Sequence, residues 1–296
     1  MLRIKSVKKI IKSIILQIYY LLPNSSKVRI GYYLTYKKFP NLKFPDTFNE
    51  KVSKRIVFEK NPLFSQLADK YLVRNFIEKK IGDNFLIPLI FCSNNPEQLS
   101  NLESWKGTVI KPNHAAGMIK IFDEEPCDLE KKNTIKEAKK WLLVDYSKFC
   151  GEAHYTDISP CILVEKKITK GNEIPRDYKF HFFRQKDGSF KYVLQIVDGR
   201  FGVESRGYYL NSLDNCVWSH GAGKHNLSEH EKQHLYEAIE LNKKFFDGES
   251  FNYLRIDWYL VGAKLYFGEL TFTPGAGRSN EFGSELEKIM SDFWVD

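Results

Sequence analysis

Two runs of strand character, Leu254–Val261 and Lys264–Phe272, meet at Gly262-Ala263. Extended runs separated by only two residues close as an antiparallel hairpin, because a parallel return needs a crossover of a dozen residues or more. That hairpin is the strongest constraint on the fold. It places an antiparallel sheet near the C-terminal end of the chain, and Tyr178–Phe183 and Tyr192–Val197 read as further antiparallel neighbours. Period-2 alternation then sets Arg255, Asp257 and Tyr259 on one strand face, with Glu269 and Thr271 sharing a face of the next strand.

Helices interleave with these strands. Residues 46–82 read as helical, with Thr47 or Asp46 as the cap, apolar positions at Val52, Ile56, Leu63, Leu67, Tyr71 and Ile77, and Gly82 as the C-terminal stop. Leu86–Cys92, Val109–Lys111 and Ile162–Lys167 read as strands, and Lys131–Phe149 as a helix. Ser228 followed by Glu231 forms a capping box that opens a helix over Ser228–Phe246. The expected class is α+β, with most strands in the second half and no repeat, low-complexity tract or long linker. Hydrophobic residues make up 43% and charged residues 28% of the 296, which excludes a disordered chain, a fibre and a polytopic membrane protein.

The net charge of +8 is unevenly placed. Residues 1–45 hold ten Lys or Arg and no acid, which leaves 35 basic and 37 acidic residues, a net of −2, for the rest. A nucleic-acid enzyme spreads its basic footprint along a binding face, so no nucleic-acid partner is expected. Ile4, Val7, Ile11, Ile14, Ile18 and Leu22 follow helical steps opposite Lys5, Lys8, Lys9 and Lys12, and Pro23 ends the run. The apolar run is too short to span a bilayer. Two readings stand side by side: residues 1–22 lie on an anionic membrane surface, or they pack on the protein's own body. Five cysteines, none in CxxC spacing, point to a reducing compartment and away from a disulfide framework.

Three constellations carry chemistry. Asp257 and Glu269 on paired strands, aimed alike, can hold Mg²⁺ through oxygens at about 2.1 Å. Arg255 beside them can neutralise a transferring phosphate, although a solvated sheet face with an Arg–Asp ion pair would show the same pattern. Lys111, at a strand end before Pro112-Asn113-His114-Ala115-Ala116-Gly117, suits a phosphate clamp, although a lone strand-end lysine is more often a surface residue. Ile162–Ile168, an apolar strand ending in Glu165, suits a hinge whose backbone reads adenine, with Glu173 as a ribose ligand; the competing reading is an edge strand with charged ends. GxxxxGK[ST], GxSxG and GxGxxG are absent. His230 and His234 read as a solvated pair, Asp69, Lys70 and Arg74 as helix surface with a charge facing a cleft as the alternative, and Asp123-Glu124-Glu125 as a solvated turn.

In this order, the motifs resemble the TupA-like branch of the ATP-grasp fold. They are Pro45-Asp46-Thr47-Phe48-Asn49-Glu50-Lys51, Ala68-Asp69-Lys70-Tyr71 with Arg74, Lys111-Pro112-Asn113-His114, Val164-Glu165, Asp177-Tyr178-Lys179-Phe180-His181, Arg255-Ile256-Asp257 and Gly268-Glu269-Leu270-Thr271-Phe272-Thr273-Pro274-Gly275. The resemblance implies two α+β lobes that clamp ATP. It implies Lys111 on the α/β-phosphates, Glu165 at the adenine hinge, and Asp257 and Glu269 on Mg²⁺. Arg255 would meet the acyl-phosphate transition state, with Asp177 and Lys179 in the ATP or acceptor cleft. Thr271 stands where many such ligases carry a metal-binding Asn, and a hydroxyl is a poorer ligand.

The domains implied are a basic arm over 1–45, a helical or αβ lobe over 46–105, and nucleotide- and metal-binding lobes over 106–296. The implied activity is a carboxylate–amine ligase using ATP and Mg²⁺. Its substrate would be a small molecule or lipid-linked glycan, a uronic acid or amino-acid unit of a surface polysaccharide. A cytoplasmic location, with the arm on the inner membrane face, goes with that role. The competing classes are a glycosyltransferase, which would need a DxD pair that is absent, a sugar kinase, and a membrane-bound scaffold.

Overall fold

The structure is a computed structural model that describes residues 17–169, 171, 174–200, 202–221 and 225–295. Most of the amphipathic 4–22 segment, and Glu173, lie outside the described residues. Chain contacts form two units, both discontinuous in sequence.

The first unit comprises residues 1–62, 145–157 and 273–291. It contains α1 (Asn24–Tyr36) and α2 (Phe48–Phe58). The α2 N-terminus carries a full capping box, in which Thr47 accepts from the Glu50 N–H and Glu50 reaches back to the cap. Asn49 is buried and donates to Glu287 at 2.7 Å and to the Ser279 carbonyl at 2.9 Å, which ties α2 to the segment after Pro274. Gly277 sits there at φ +68, where an added Cβ would come within 2.5 Å of Ser53 Oγ, so no larger residue fits that turn. The described end of the basic arm packs within this unit, as Tyr19 donates to the Phe149 carbonyl at 2.8 Å. Among the described residues no helix is long and apolar enough to cross a membrane.

Glu152 makes this unit pH-sensitive. It is buried and accepts a hydrogen bond from the Thr273 hydroxyl. Burial pushes its carboxyl up to about 7, against the opposing pull of Thr273 and Arg278. The folded state therefore keeps a proton that the unfolded chain releases near 4.5, so stability falls as pH rises from 4.5 to about 7. Urea unfolding at about pH 5 and about pH 8 should show this loss, and Glu152→Gln should flatten it. A variant that loses as much stability with pH as the wild type would remove Glu152 as the cause.

The second unit comprises residues 63–144, 158–272 and 292–296. Its first sheet has four strands: β1 (Leu89–Ser93), β2 (Thr108–Pro112), β3 (Lys120–Phe122) and β4 (Ile162–Lys166), in the order β1-β4-β2-β3 and wholly antiparallel. Ile110, Ile162 and Val164 join Trp105, Phe122 and the α5 residues Ile135 and Ala138 in one core (α5, Asp128–Leu142). The second sheet has six strands in the order β10-β9-β5-β6-β7-β8. They are β5 (Asp177–Arg184), β6 (Phe190–Asp198), β7 (Ser205–Leu210), β8 (Cys216–His220), β9 (Tyr253–Val261) and β10 (Lys264–Thr271). Phe180, Leu194, Ile256 and Trp258 on one face of this sheet share a core with α4 (Val73–Ile81) and α7 (Glu229–Lys244). Fully burying such a side chain stabilises the fold by about 1.5–3 kcal/mol. The opposite sheet face carries Asp177, Lys179, Asp257 and Tyr259 at one end and the buried Phe183, Val193 and Tyr253 at the other.

The expected elements are present, with three corrections to their extents. The 46–82 stretch is three helices, α2, α3 (Pro62–Ala68) and α4, not one. Pro62 lacks an N–H and so starts a new helix rather than continuing α2, while Asp69 turns its carboxylate onto the Tyr71 and Leu72 N–H groups and ends α3. The 131–149 helix stops at Leu142, and a separate turn, α6 (Ser147–Cys150), follows. The first strand begins at Leu89, three residues later than expected, because Pro88 offers no ladder donor. The five cysteines are free thiols. Cys92 and Cys161 stand 3.4 Å apart, sulfur to sulfur.

Candidate active site

A cavity of about 450 Å³ opens within the second unit, a size in the range of ~300–1,000 Å³ that small-molecule sites occupy. The first sheet and its loops line it mainly with apolar groups, among them Ile87, Val109, Met118, Ile119 and Ile121. The second sheet lines it with Asp177, Lys179, Asp257, Tyr259 and Glu269.

The charged wall follows from strand register. β5 lies between β6 and β9, so Asp177 is paired with Tyr259, Lys179 with Asp257 and His181 with Arg255 across one ladder. A bulge at Gly268 does what alternation alone cannot. Phe267 opposes Trp258 in the core, yet Glu269, two residues on, opposes Asp257 on the cavity face. The extra residue turns Glu269 outward while Phe267 stays inside. Gly268 also permits the close approach, since a Cβ there would lie 3.0 Å from the Asp257 carbonyl oxygen.

These groups form one ion network. Lys179 Nζ lies 2.5 Å from Asp257 Oδ2 and 3.3 Å from Asp177 Oδ2. Arg255 bridges Asp257 Oδ1 at 2.7 Å and Glu269 Oε1 at 2.6 Å. Burial opposes ionisation of Asp257, but Arg255 and Lys179 outweigh it and hold its carboxyl below the usual range. Glu269 is the most open of the three carboxylates, at 36% side-chain exposure against 3% for Asp257 and 2% for Asp177. Asp177 Oδ1 is buried with no hydrogen-bond partner among the described residues, so a donor or a cation would be favoured there.

On the opposite wall, Lys111 Nζ is 2.7 Å from Glu165 Oε2, and Arg74 Nη1 is 3.8 Å from Glu165 Oε1. Val109 is the ladder partner of Glu165, and Lys111 is two residues further along the same strand face. Glu165 is buried and neutralises Lys111, while Lys166, Lys167 and Ile168 continue the cavity lining.

Lys111, Glu165, Lys179, Asp257 and Glu269 thus line one cavity. Arg255 and Thr271 do not line it. Arg255 stands behind the carboxylates it bridges, and the Thr271 hydroxyl donates to Glu269 Oε1 at 3.4 Å. Three expectations of solvated surface are corrected. Asp69 is buried and Lys70 lines the cavity, because the break between α3 and α4 turns this segment inward. Arg74 points to Glu165, since it faces the sheet from α4. Asp123 also lines the cavity and pairs with Lys167, because β3 lies beside β2. Arg200, on the turn after β6, reaches Asp177 Oδ2 at 3.0 Å and had no local signal in the sequence.

The donor set suits a nucleotide bound with a hard divalent cation. The available carboxylates offer only oxygen, and Mg²⁺ is commonly held by one or two carboxylates with phosphate and water completing its octahedron. Among the described residues no cluster of three His, Cys, Asp or Glu side chains is placed to hold a metal by itself. His230 and His234 lie with ring centroids 4.5 Å apart, tilted at 48°, and belong to no such cluster.

Comparison with known proteins gives one extended match in sequence. The profile of a family described as TupA-like ATPgrasp matches residues 50–295. A search of curated proteins matched none. Similar solved structures include D-alanine–D-alanine ligase from Helicobacter pylori, at 16% identity and TM-score 0.48, covering 77% of this chain and 61% of that one. N5-carboxyaminoimidazole ribonucleotide synthetase from Thermus thermophilus has 11% identity and TM-score 0.44, covering 82% and 52%. D-alanine–D-alanine ligase from Bacillus anthracis, complexed with ATP, has 14% identity and TM-score 0.41, covering 76% and 61%. The chain spans between 52% and 61% of the length of these three proteins.

Proposed function

This chain belongs to the TupA-like ATP-grasp family and has the ATP-grasp fold, and from that premise we propose that it is an ATP- and Mg²⁺-dependent ligase joining a carboxylate to an amine through an acyl phosphate. The carboxylate is a uronic acid or amino-acid unit destined for a bacterial surface polysaccharide. The observation that carries the reading is the two-sided cavity, mainly apolar on the first sheet, where Lys111 and Glu165 form a charged pair, and carrying Lys179, Asp257 and Glu269 on the second. A nucleoside triphosphate has the same division, with an apolar base at one end and a charged, metal-binding tail at the other.

In this reading a substrate carboxylate oxygen attacks the γ-phosphorus of ATP, the bond to ADP breaks, and an acyl phosphate forms. The amine then attacks the carbonyl carbon, the C–O bond to phosphate breaks, and the nitrogen releases its proton. The divalent cation, when bound, neutralises the phosphate charge that both steps must carry. Lys111 donates to phosphate oxygens and is shared between them and Glu165. Lys179 and Arg255 keep Asp257 ionised, and Glu269 presents the more accessible oxygens. The isoleucines of the first sheet exclude water from the base.

Thermal unfolding with ATP–Mg²⁺ or UDP-sugars separates this from a glycosyltransferase. ATP–Mg²⁺ at about 100 times its Kd should add about 2.7 kcal/mol and raise the melting temperature. Release of ADP and phosphate should require both a carboxylate and an amine. Stabilisation by UDP-sugar in place of ATP, or ADP release without any amine, would overturn the proposal.

A further inference from the structure

Helix α1 of the first unit is two-faced. Val28, Gly31 and Tyr32 are buried, and the Tyr36 hydroxyl donates to the Ser279 carbonyl at 2.8 Å, so this side is held by the rest of the unit. Arg29, Tyr33 and Lys37, at steps of four, are exposed together with Leu34. The chain turns at Lys37, with φ +58, into a loop that runs to Phe44. Pro40 and Leu42 of this loop are buried. The Asn41 N–H donates to Glu50 Oε1 at 3.0 Å, and the Phe44 N–H donates to Asn41 Oδ1 at 3.0 Å. The loop is thereby pinned on its inner side, yet Phe39 and Phe44 are 62% and 66% exposed. Tyr33 stacks on Phe39 with ring centroids 5.0 Å apart, which joins the helix face to the loop, and the Lys43 ammonium lies 5.2 Å from the Phe44 ring centroid.

The charges that α1 and this loop present are all positive. Arg29, Lys37, Lys38 and Lys43 are exposed, and the first acid of the chain is Asp46. The Glu50 and Glu287 carboxylates are turned to Asn41 and Asn49. Single exposed apolar residues are ordinary on a protein surface. Tyr33, Leu34, Phe39 and Phe44 on one helix face and one pinned loop, set among four cations, are a patch that has a partner. The mixture identifies that partner. Rings and a leucine gain by entering the boundary between headgroups and acyl chains, while lysines on flexible stems reach the headgroup phosphates. Nucleic acid would use the cations and the rings but leave Leu34 in water. We propose that α1 and the 37–44 loop form a docking surface for an anionic phospholipid bilayer. The surface lies over Arg29–Phe44, whereas Tyr19 and Tyr20 of the arm contact Phe149.

Co-sedimentation of the full chain with vesicles tests this, using mixed phosphatidylglycerol and phosphatidylcholine against phosphatidylcholine alone. The wild type should bind the anionic vesicles, leave them as salt rises, and bind the neutral ones about tenfold more weakly or less. Phe39→Ser with Phe44→Ser, and separately Lys38→Glu with Lys43→Glu, should each weaken binding to anionic vesicles by about tenfold or more. All four positions are exposed, so the melting curves of both double variants should overlay that of the wild type. A double variant that fails to fold is replaced by its milder form, Phe44→Ser alone or Lys38→Gln with Lys43→Gln, with a loss of about threefold or more expected. A wild type that stays in the supernatant overturns the proposal, as does equal binding to neutral and anionic vesicles. Undiminished vesicle binding by either folded variant also overturns it, since attachment would then lie elsewhere in the chain. Tighter binding to a single-stranded oligonucleotide than to anionic vesicles would assign the patch to nucleic acid instead.

Discussion

Glu269→Gln is expected to lower ATP-dependent turnover by about 100-fold or more while leaving the melting temperature nearly unchanged. The substitution keeps the size of the side chain and removes the negative charge from the most open carboxylate of the network. Asp257→Asn should lower turnover as well, but with a clear loss of stability. Asp257 is 3% exposed and receives Arg255 and Lys179 together, so neutralising it leaves two partly buried cations short of an anion. Breaking a buried pair from one side typically costs about 3–5 kcal/mol. The pair of variants therefore separates the two duties of these acids. Steady-state turnover across a Mg²⁺ series, with urea unfolding of each variant, gives both readings. Undiminished turnover in Glu269→Gln would sink its metal role, and unchanged stability in Asp257→Asn would sink the buried-network account.

Trp258→Ala is expected to be the most destabilising single core change, at about 3–5 kcal/mol, or on the order of 10 °C in melting temperature. Trp258 is fully buried on the sheet face opposite the cavity. Its ring stands within 6.1 Å of Phe85 and Phe267, and its indole N–H donates to Asn242 Oδ1 at 2.9 Å. Removal opens a cavity and also leaves the buried Asn242 oxygen without its donor. Trp258→Phe keeps most of the ring and loses only the hydrogen bond, so its cost should be about 1–3 kcal/mol. Because Trp258 and Asp257 are adjacent on β9, the alanine variant should also loosen the carboxylate wall. Chemical unfolding of both variants decides this, and an alanine variant within about 1 kcal/mol of wild type would contradict the packing described here.

Local patterns were legible where one element supplies all the information. The Leu254–Phe272 hairpin, the Ser228 capping box and the Gly82 helix stop appear where their residues placed them. The facing of Arg255 and Asp257 needed only the period of a strand. Other features depend on one extra residue or one short interruption. Pro62 and the Asp69 turn break what reads as a single helical repeat, and that break carries Lys70 from an apparent helix surface to the cavity wall and turns Arg74 onto Glu165. Gly268 shifts the parity of β10, which simple alternation cannot show.

By itself, then, the sequence determined the element types, the α+β class and the faces on which acids and lysines stand, because those depend on spacing along one strand or helix. The order of its motifs also carried the ATP-grasp family resemblance. Only the tertiary structure decided that Lys70, Lys111, Glu165, Lys179, Asp257 and Glu269 line one cavity, and which carboxylate Lys111 and Lys179 each meet. Ion pairing falls off over a few ångströms, while these residues are spread across about 200 positions of chain. Their charges compensate one another through strand order and register, and no local periodicity encodes either.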